Sequence, residues 1–387
     1  MHYIVVRVGI ISHPMTVSVA NMLSYLGMKV SVICTKSSEK VAELFDKKIE
    51  LIEVSDIYDG EASQFIKFRN MYIIRKALWS AIDKIYTNES ILWVGHNITI
   101  KHLGNKLLRY RYILHLNELN EEIYYSSKFR FLKMNKEKIG NNAIAVVVPE
   151  YNRAHITKVL WNLNNLPFIL PNKIYIKDSI TKKNEIMHSS EAKEILEKIK
   201  NRIIILYQGA IFLERNIKIF AQSIGRMGNM YAFVIMSGNL DQIDFNLPAN
   251  CYLINYIMPP YHLEVTSYAS IGILTYTPEY GRNSPLNAIY CAPNKLYEYS
   301  LFGIPMLSND VPALKFIFET NNCGISLQNP SYKSISQAIE KIIENYDYYS
   351  SNSRKFYEKT DVLSIVKEIS DFTKNRMMQS MIVGDKY

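Results

Sequence analysis

Residues 287–323 read NAIYCAPNKLYEYSLFGIPMLSNDVPALKFIFETNNC. A polar turn, Cys291-Ala292-Pro293-Asn294-Lys295, leads into a short apolar helix over Leu296–Phe302. Gly303-Ile304-Pro305 then supplies the residues expected just past a helix end. Met306-Leu307-Ser308 resumes as a buried strand, and Val311-Pro312 starts another helix. Asn294 and Lys295 therefore stand at a helix N-terminus, where backbone N–H groups without helical partners favour an anion. Lys295 adds a full positive charge, and Glu298, three residues on, shares its helical face. A phosphate beside the lysine and sugar hydroxyls on the glutamate would fit one nucleotide. The plainer alternative is a capped helix whose lysine and glutamate are solvated.

Outward from this stretch, the chain of 387 residues is long enough for two domains, each with its own core. Hydrophobic residues at 48% and charged residues at 21% describe an ordinary globular protein. No apolar run reaches the ~18–20 residues of a membrane span. The start, MHYIVVRVGII, reads as a strand followed by His13-Pro14 and not as a signal peptide. Four scattered cysteines, Cys34, Cys251, Cys291 and Cys323, form no C-x-x-C pair, which fits a reducing cytoplasm and speaks against structural zinc. Residues 1–190 hold 26 Lys+Arg against 17 Asp+Glu, whereas residues 191–387 hold 19 of each, so the whole excess of +9 lies in the first half. A basic first half suits an anionic partner such as a membrane surface, a pyrophosphate-linked lipid or nucleic acid.

The first half alternates strands and helices. Strands are expected at Tyr3–Ile11, Lys29–Cys34, Ile49–Val54, Ser90–Val94, Tyr112–Leu116 and Ala143–Val148, with helices at Met15–Leu26 and Ser63–Tyr86. Short buried strands separated by helices imply a parallel, doubly wound sheet. Ligands on such sheets bind beyond the strand C-termini, which places Ser12-His13, Gly95-His96-Asn97 and Asn117-Glu118 along one rim. A Pro-punctuated stretch, Leu166–Asn172, precedes a polar segment to about Lys200 that reads as an interdomain linker. The second half alternates again. Strands are expected at Arg202–Tyr207, Tyr231–Met236, Tyr252–Asn255 and Ile271–Thr275, and helices at Ile217–Met227 and His262–Ala269. A last helical segment, Tyr357–Met378, is long enough to return to the first domain. The expected organisation is 1–172, linker 173–200, 201–350, and a returning helix in 351–387.

Four groups of residues in this second half resemble the GT-B glycosyltransferases, in particular the family-4-like enzymes of bacterial capsule and lipopolysaccharide assembly. Leu206-Tyr207-Gln208-Gly209 with Glu214-Arg215-Asn216-Ile217 is similar to the opening of their nucleotide-sugar domain. Val234-Ile235-Met236-Ser237-Gly238 resembles the strand that follows it, and Asn255-Tyr256-Ile257 the loop that holds the base. Pro293-Asn294-Lys295-Leu296-Tyr297-Glu298-Tyr299, with Gly303-Ile304-Pro305, resembles the most specific signature. The resemblance is strongest over about 203–327; in the first half it is architectural, plus His96 after the fourth strand. Two positions depart from the pattern: Tyr290 stands where the family places the first of two glutamates, and Ala210 where it places an arginine.

The resemblance implies two Rossmann-like α/β domains facing across a cleft, the GT-B fold, with the last helix crossing back. It implies a hexosyl transfer from a nucleotide-diphosphate sugar to a saccharide or lipid-linked acceptor, metal-independent and retaining, with Tyr290 keeping an inverting outcome open. Gly209, Arg215, Tyr256, Asn294, Lys295 and Glu298 are the expected donor-binding residues. Arg215 would offer a planar fork and Lys295 a point charge to the leaving diphosphate. Glu298 would accept hydrogen bonds from the ribose hydroxyls, and Tyr256 would lie near the base. His96 and Glu118 are the catalytic candidates, as a general base or as donor-positioning groups; each also reads as an ordinary loop residue. No metal and no cofactor are expected beyond the nucleotide-sugar co-substrate. Two basic aromatic segments, Phe65–Trp79 and Tyr124–Lys136, suit an anionic lipid interface or packing on the sheet, packing being favoured for the first. The protein would be cytoplasmic, peripheral on the inner membrane face, and without a nucleic-acid partner. Rival readings are a GT-B partner subunit without catalysis, suggested by Tyr290 and Ala210, and a sugar-nucleotide epimerase or hydrolase.

Overall fold

A computed structural model describes residues 1–9, 14–35, 39–55, 64–124, 133–175, 188–279 and 284–383. The chain divides into two compact units, Met1–Pro171 with Asp361–Tyr387, and Asn172–Thr360. Among the described residues no helix is long and apolar enough to cross a membrane.

The first unit is built on β1 (His2–Arg7), β2 (Lys29–Thr35), β3 (Glu50–Ser55), β4 (Ser90–Gly95), β5 (Tyr112–His115), β6 (Ala145–Val148) and β7 (Phe168–Ile169). All pairs are parallel, in the order β3-β2-β1-β4-β5-β6-β7. Every residue of β1 and β4 is buried, as near-continuous apolar runs require when helices cover both faces. The second unit carries β8 (Ile203–Gln208), β9 (Tyr231–Ser237), β10 (Cys251–Asn255), β11 (Ile271–Leu274), β12 (Met306–Asn309) and β13 (Gly324–Leu327). These are also parallel, in the order β10-β9-β8-β11-β12-β13. Alternate residues feed two cores: Ile204, Leu206 and Val234 on one face, and Ile205, Tyr207 and Phe233 on the other.

The helix Val362–Val383 belongs to the first unit. Tyr3 there donates its hydroxyl to Ser370 Oγ at 3.0 Å, and Phe168 meets Phe372 edge to face at 5.2 Å. The returning segment begins later than its sequence suggests. A break at Thr360 separates it from the helix Tyr346–Lys359, which stays with the second unit. That helix is held by Ser353 donating to the Ile304 carbonyl at 2.8 Å and by Phe356 stacking on Tyr297. The expected boundary at 350/351 thus moves to 360/361.

The linker shortens for a similar reason. Residues 176–187 lie outside the described residues, but Ser190–Ile199 is a helix whose Ser189 cap accepts from Ala192 N at 3.1 Å. It inserts Ala192, Leu196 and Ile199 into the second core. Its many charges are the solvent face of an amphipathic helix. The short strands β7 and β13 carry too little pattern to be read in advance.

Candidate functional site

The loop after β8 and the helix Asn294–Leu301 build the site in the second unit. The helix opens on Pro293 with no side-chain cap, leaving its first N–H groups without side-chain acceptors. It begins at Asn294, two residues earlier than expected. Its end is a Schellman turn: Gly303, at φ +66°, donates to the Ser300 carbonyl, and Ile304 donates to that of Tyr299 at 3.0 Å. Tyr299 is fully buried, bonds the Leu206 carbonyl at 3.0 Å and covers Gly272 on β11, locking the helix to the sheet.

Lys295 and Glu298 are not solvated; they are 6% and 8% exposed. The Lys295 ammonium has no hydrogen-bond partner and sits 4.2 Å from the Tyr207 ring centroid and 5.5 Å from that of Tyr276. Burial first, and then the nearby positive charge of Arg215, push its pKa well down. Gly209 turns at φ +118°, and a methyl group there would lie 3.6 Å from Lys295 Nζ. Glycine thus supplies the left-handed turn beside the cation.

Arg215 closes a single 3-10 turn, Leu213–Arg215, with its guanidinium 5.7 Å from the Tyr276 ring centroid. The flanks of the turn are pinned to the end of β11: Thr277 N donates to the Glu214 carbonyl, and Thr275 Oγ1 to that of Asn216. Asn239 clamps the preceding loop by bonding both the N–H and the carbonyl of Ile211.

Glu298 belongs to a buried polar chain. Thr266 Oγ1 donates to Gln208 Oε1 at 2.7 Å, Gln208 Nε2 donates to Glu298 Oε2 at 2.6 Å, and His262 Nε2 meets Glu298 Oε1 at 3.1 Å. Burial alone would raise this carboxyl, but His262 and Gln208 hold it below its usual range, so it stays an anion. Each carboxylate oxygen retains acceptor capacity for a second donor. Tyr256 packs over Gly238 and is 56% exposed; burial and then the Glu298 charge raise its phenol pKa, marking the shared neighbourhood. All six expected donor-side residues thus lie at the C-terminal edge of one sheet or just beyond it. Gln208, His262, Thr266 and Tyr276 join them unforeseen. Gln208, a polar residue closing an apolar strand, was the one visible signal.

In the first unit, His96 begins the helix His96–Leu103 with φ +69°, a backbone region non-glycine residues rarely occupy. Burial, then the charge of Arg7, lowers its pKa to about 4. Glu118 lies 3.7 Å from Arg153 Nη1, a nitrogen that also donates to the Asn117 carbonyl. His115 is buried. Ser12-His13 and most of the Tyr124–Lys136 segment lie outside the described residues.

No protein-family model and no curated protein matches the chain. Solved structures do. Sucrose-phosphate synthase from Thermosynechococcus elongatus superposes with a TM-score of 0.67 at 12% identity, covering 98% of this chain and 100% of that one. HepE from Anabaena, solved with UDP-glucose, gives 0.66 at 10%, covering 97% and 100%. WaaG, described as a glycosyltransferase involved in lipopolysaccharide biosynthesis, gives 0.61 at 11%, covering 96% and 99%. The expected architecture is met by these likenesses and by the two parallel sheets with helices on both sides: the chain has the two-domain α/β GT-B fold of these glycosyltransferases.

Proposed function

We propose that this chain is a glycosyltransferase that moves a sugar from a uridine-diphosphate donor to a saccharide or lipid-linked saccharide in surface polysaccharide assembly. The observation that carries this reading is the buried Lys295 ammonium, unbonded beside an uncapped helix N-terminus, with the anionic Glu298 three residues along the same helix. A buried cation without a partner is costly unless a ligand completes it. A diphosphate does so, and Glu298 then takes the ribose hydroxyls. The choice of uridine draws on HepE, solved with UDP and glucose, and on E. coli trehalose-6-phosphate synthase, solved with UDP-2-fluoro glucose.

Departure of the sugar builds negative charge on the diphosphate. Arg215, Lys295 and the N–H groups at Asn294 are the donors aimed at it. We take transfer to be metal-independent and retaining as part of the same proposal; chelation would then leave the rate unchanged. With a pKa near 4, His96 is a weak base at neutral pH, which suits positioning of the donor sugar better than proton abstraction. Glu118, beside Arg153, is the second acceptor-side candidate.

Peripheral attachment to an anionic membrane belongs to the same reading. The helix Gln64–Ile85 buries Met71, Ile74, Leu78 and Ile82. Its other face exposes Phe68 (59%) and Tyr72 (64%) together with Arg69 and Lys76. Aromatic groups beside cations suit a lipid interface. Sedimentation with phosphatidylglycerol vesicles, but not with phosphatidylcholine ones, is the expected behaviour.

Calorimetric titration of UDP into wild type and Lys295→Ala, followed by UDP-release assays with and without saccharide acceptors, tests the proposal. Acceptor-dependent release supports transfer. Release without acceptor favours the hydrolase reading, tight binding without turnover the partner-subunit reading, and no binding sinks the donor site.

A further inference from the structure

Arg7 closes β1 and is 1% exposed, yet its Nε finds no hydrogen-bond partner, and no carboxylate of the described residues pairs with it. Continuing the β1–β4 register from Val6 opposite Val94 sets Arg7 beside Gly95, and Gly95 lies opposite His115 on β5. In-register neighbours on parallel strands point to the same face. Arg7 and His115 therefore flank a position that has no side chain. The Arg7 side chain lies across Gly95: a methyl group built there would meet Arg7 Nη1 at 3.3 Å, Arg7 Cδ at 3.5 Å and Thr16 Oγ1, in the first turn of the helix Pro14–Tyr25, at 3.7 Å.

The hydrogen bonding around Gly95 is one-sided. His115 Nδ1 accepts a weak bond from Trp93 Nε1 at 3.4 Å, which leaves Nε2 to carry the proton of the neutral ring. That Nε2 is buried and has no partner. Arg7 Nε and His115 Nε2 are thus buried donors facing no protein acceptor, next to an uncompensated positive charge. The acidities agree: burial, then Arg7, then His96 lower the His115 pKa to about 3, and burial lowers that of Arg7 to about 9. The opening turn of the helix Pro14–Tyr25 has no acidic residue and adds its own positive end.

We infer that Arg7 and His115, beside Gly95, are the donors of an oxyanion site for a carboxylate or phosphate group on a ligand of the first unit. Arginine's planar fork matches either group. Resting on the glycosyl-transfer reading, this anion belongs to the acceptor, which makes the acceptor a sugar acid or a phosphorylated saccharide and not a neutral sugar.

The test is calorimetry and thermal unfolding of the full chain with inorganic phosphate, glucuronate, glucose 6-phosphate and glucose at constant ionic strength. Wild type should bind at least one of the three anions and not glucose. Phosphate and glucose 6-phosphate report the phosphoryl source, and glucuronate the carboxylate source. Arg7→Met should weaken that binding at least about tenfold while raising the melting temperature of the free protein, because an unpaired buried charge is gone. Gly95→Ala keeps Arg7 but presses a methyl group against its guanidinium and should also weaken anion binding; the φ of −91° admits alanine. No anion response in wild type, unchanged anion binding by Arg7→Met, or a lower melting temperature for that free variant would overturn the site. UDP titration runs as a separate arm: if UDP fails while the anion binds, only the donor reading falls.

Discussion

Nucleotide binding to this protein should take up a proton at alkaline pH, and Lys295 is the reason. In the free protein its ammonium is buried, lacks a hydrogen-bond partner and feels Arg215, so its pKa lies well below the 10.5 of an exposed lysine. A bound diphosphate brings negative charge and acceptor oxygens to the same place, which favours the charged form again. Between the free and bound pKa values, binding then captures up to one proton, and Kd rises about tenfold per pH unit, or ~1.4 kcal/mol. Neighbouring groups add little: burial pushes Tyr207 up to about 12, and a nucleotide phosphate titrates near pH ~6. Titrating UDP from about pH 7 to about pH 9.5, in two buffers of different ionisation enthalpy, reads the uptake directly. Lys295→Met should abolish the uptake, flatten the pH dependence and weaken binding ten- to a hundredfold, roughly one charge-assisted hydrogen bond. The stability sign runs the other way. A base with a depressed folded pKa costs stability below its unfolded pKa, so the methionine variant should be more stable than wild type at pH ~7, with the gain fading towards pH ~10.5. Equal heats in both buffers across the range, or a less stable variant at neutral pH, would refute this account of Lys295.

Replacing Glu298 by Gln keeps the shape and removes the anion; wild type should prefer UDP to 2′-deoxy-UDP, and the variant should lose most of that preference. Discrimination that survives the change would show that Glu298 does not read the ribose. Acid should weaken the first unit. The unfolded His115 ring takes a proton near 6.5 but the folded one only near 3, so its contribution is present above 6.5 and is lost as pH falls. By pH ~5 the loss is about 2 kcal/mol, read by urea unfolding with Trp93 fluorescence, and His115→Asn should reduce it. Gly272→Ala should destabilise the second unit by roughly 1–3 kcal/mol or more, because a methyl group there overlaps the Tyr299 ring; an unchanged unfolding midpoint would mean that this helix is free to shift.

Much of the architecture was legible because parallel strands and amphipathic helices write themselves into local pattern. Runs such as IVV, ILWV and IIILY announce strands buried on both faces, and Gly303-Ile304-Pro305 announces a helix end, since each follows from a few adjacent residues. The helix N-terminus at Asn294 was legible too, as it needs only Pro293-Asn294-Lys295 to be seen. Weak patterns failed. Two-residue β7 has no periodicity, and the charged Ser190–Ile199 helix resembled a linker until its apolar residues met a core.

Only the tertiary structure decided burial and partnership. The same Lys295 is a solvated cap or an unbonded interior cation depending on Tyr207, which comes from β8, far away in the chain. Glu298 remains an anion through His262 and Gln208, brought from 36 and 90 residues away in the chain. Arg7 fell inside the expected strand Tyr3–Ile11, and its lack of a partner emerged only when β4 and β5 placed Gly95 and His115 beside it. Local sequence determines which elements form, because backbone preference and apolar spacing act over neighbouring residues. The dielectric around a charge and the identity of its partners are set by residues far apart in sequence, so the chemistry of both sites had to wait for the fold.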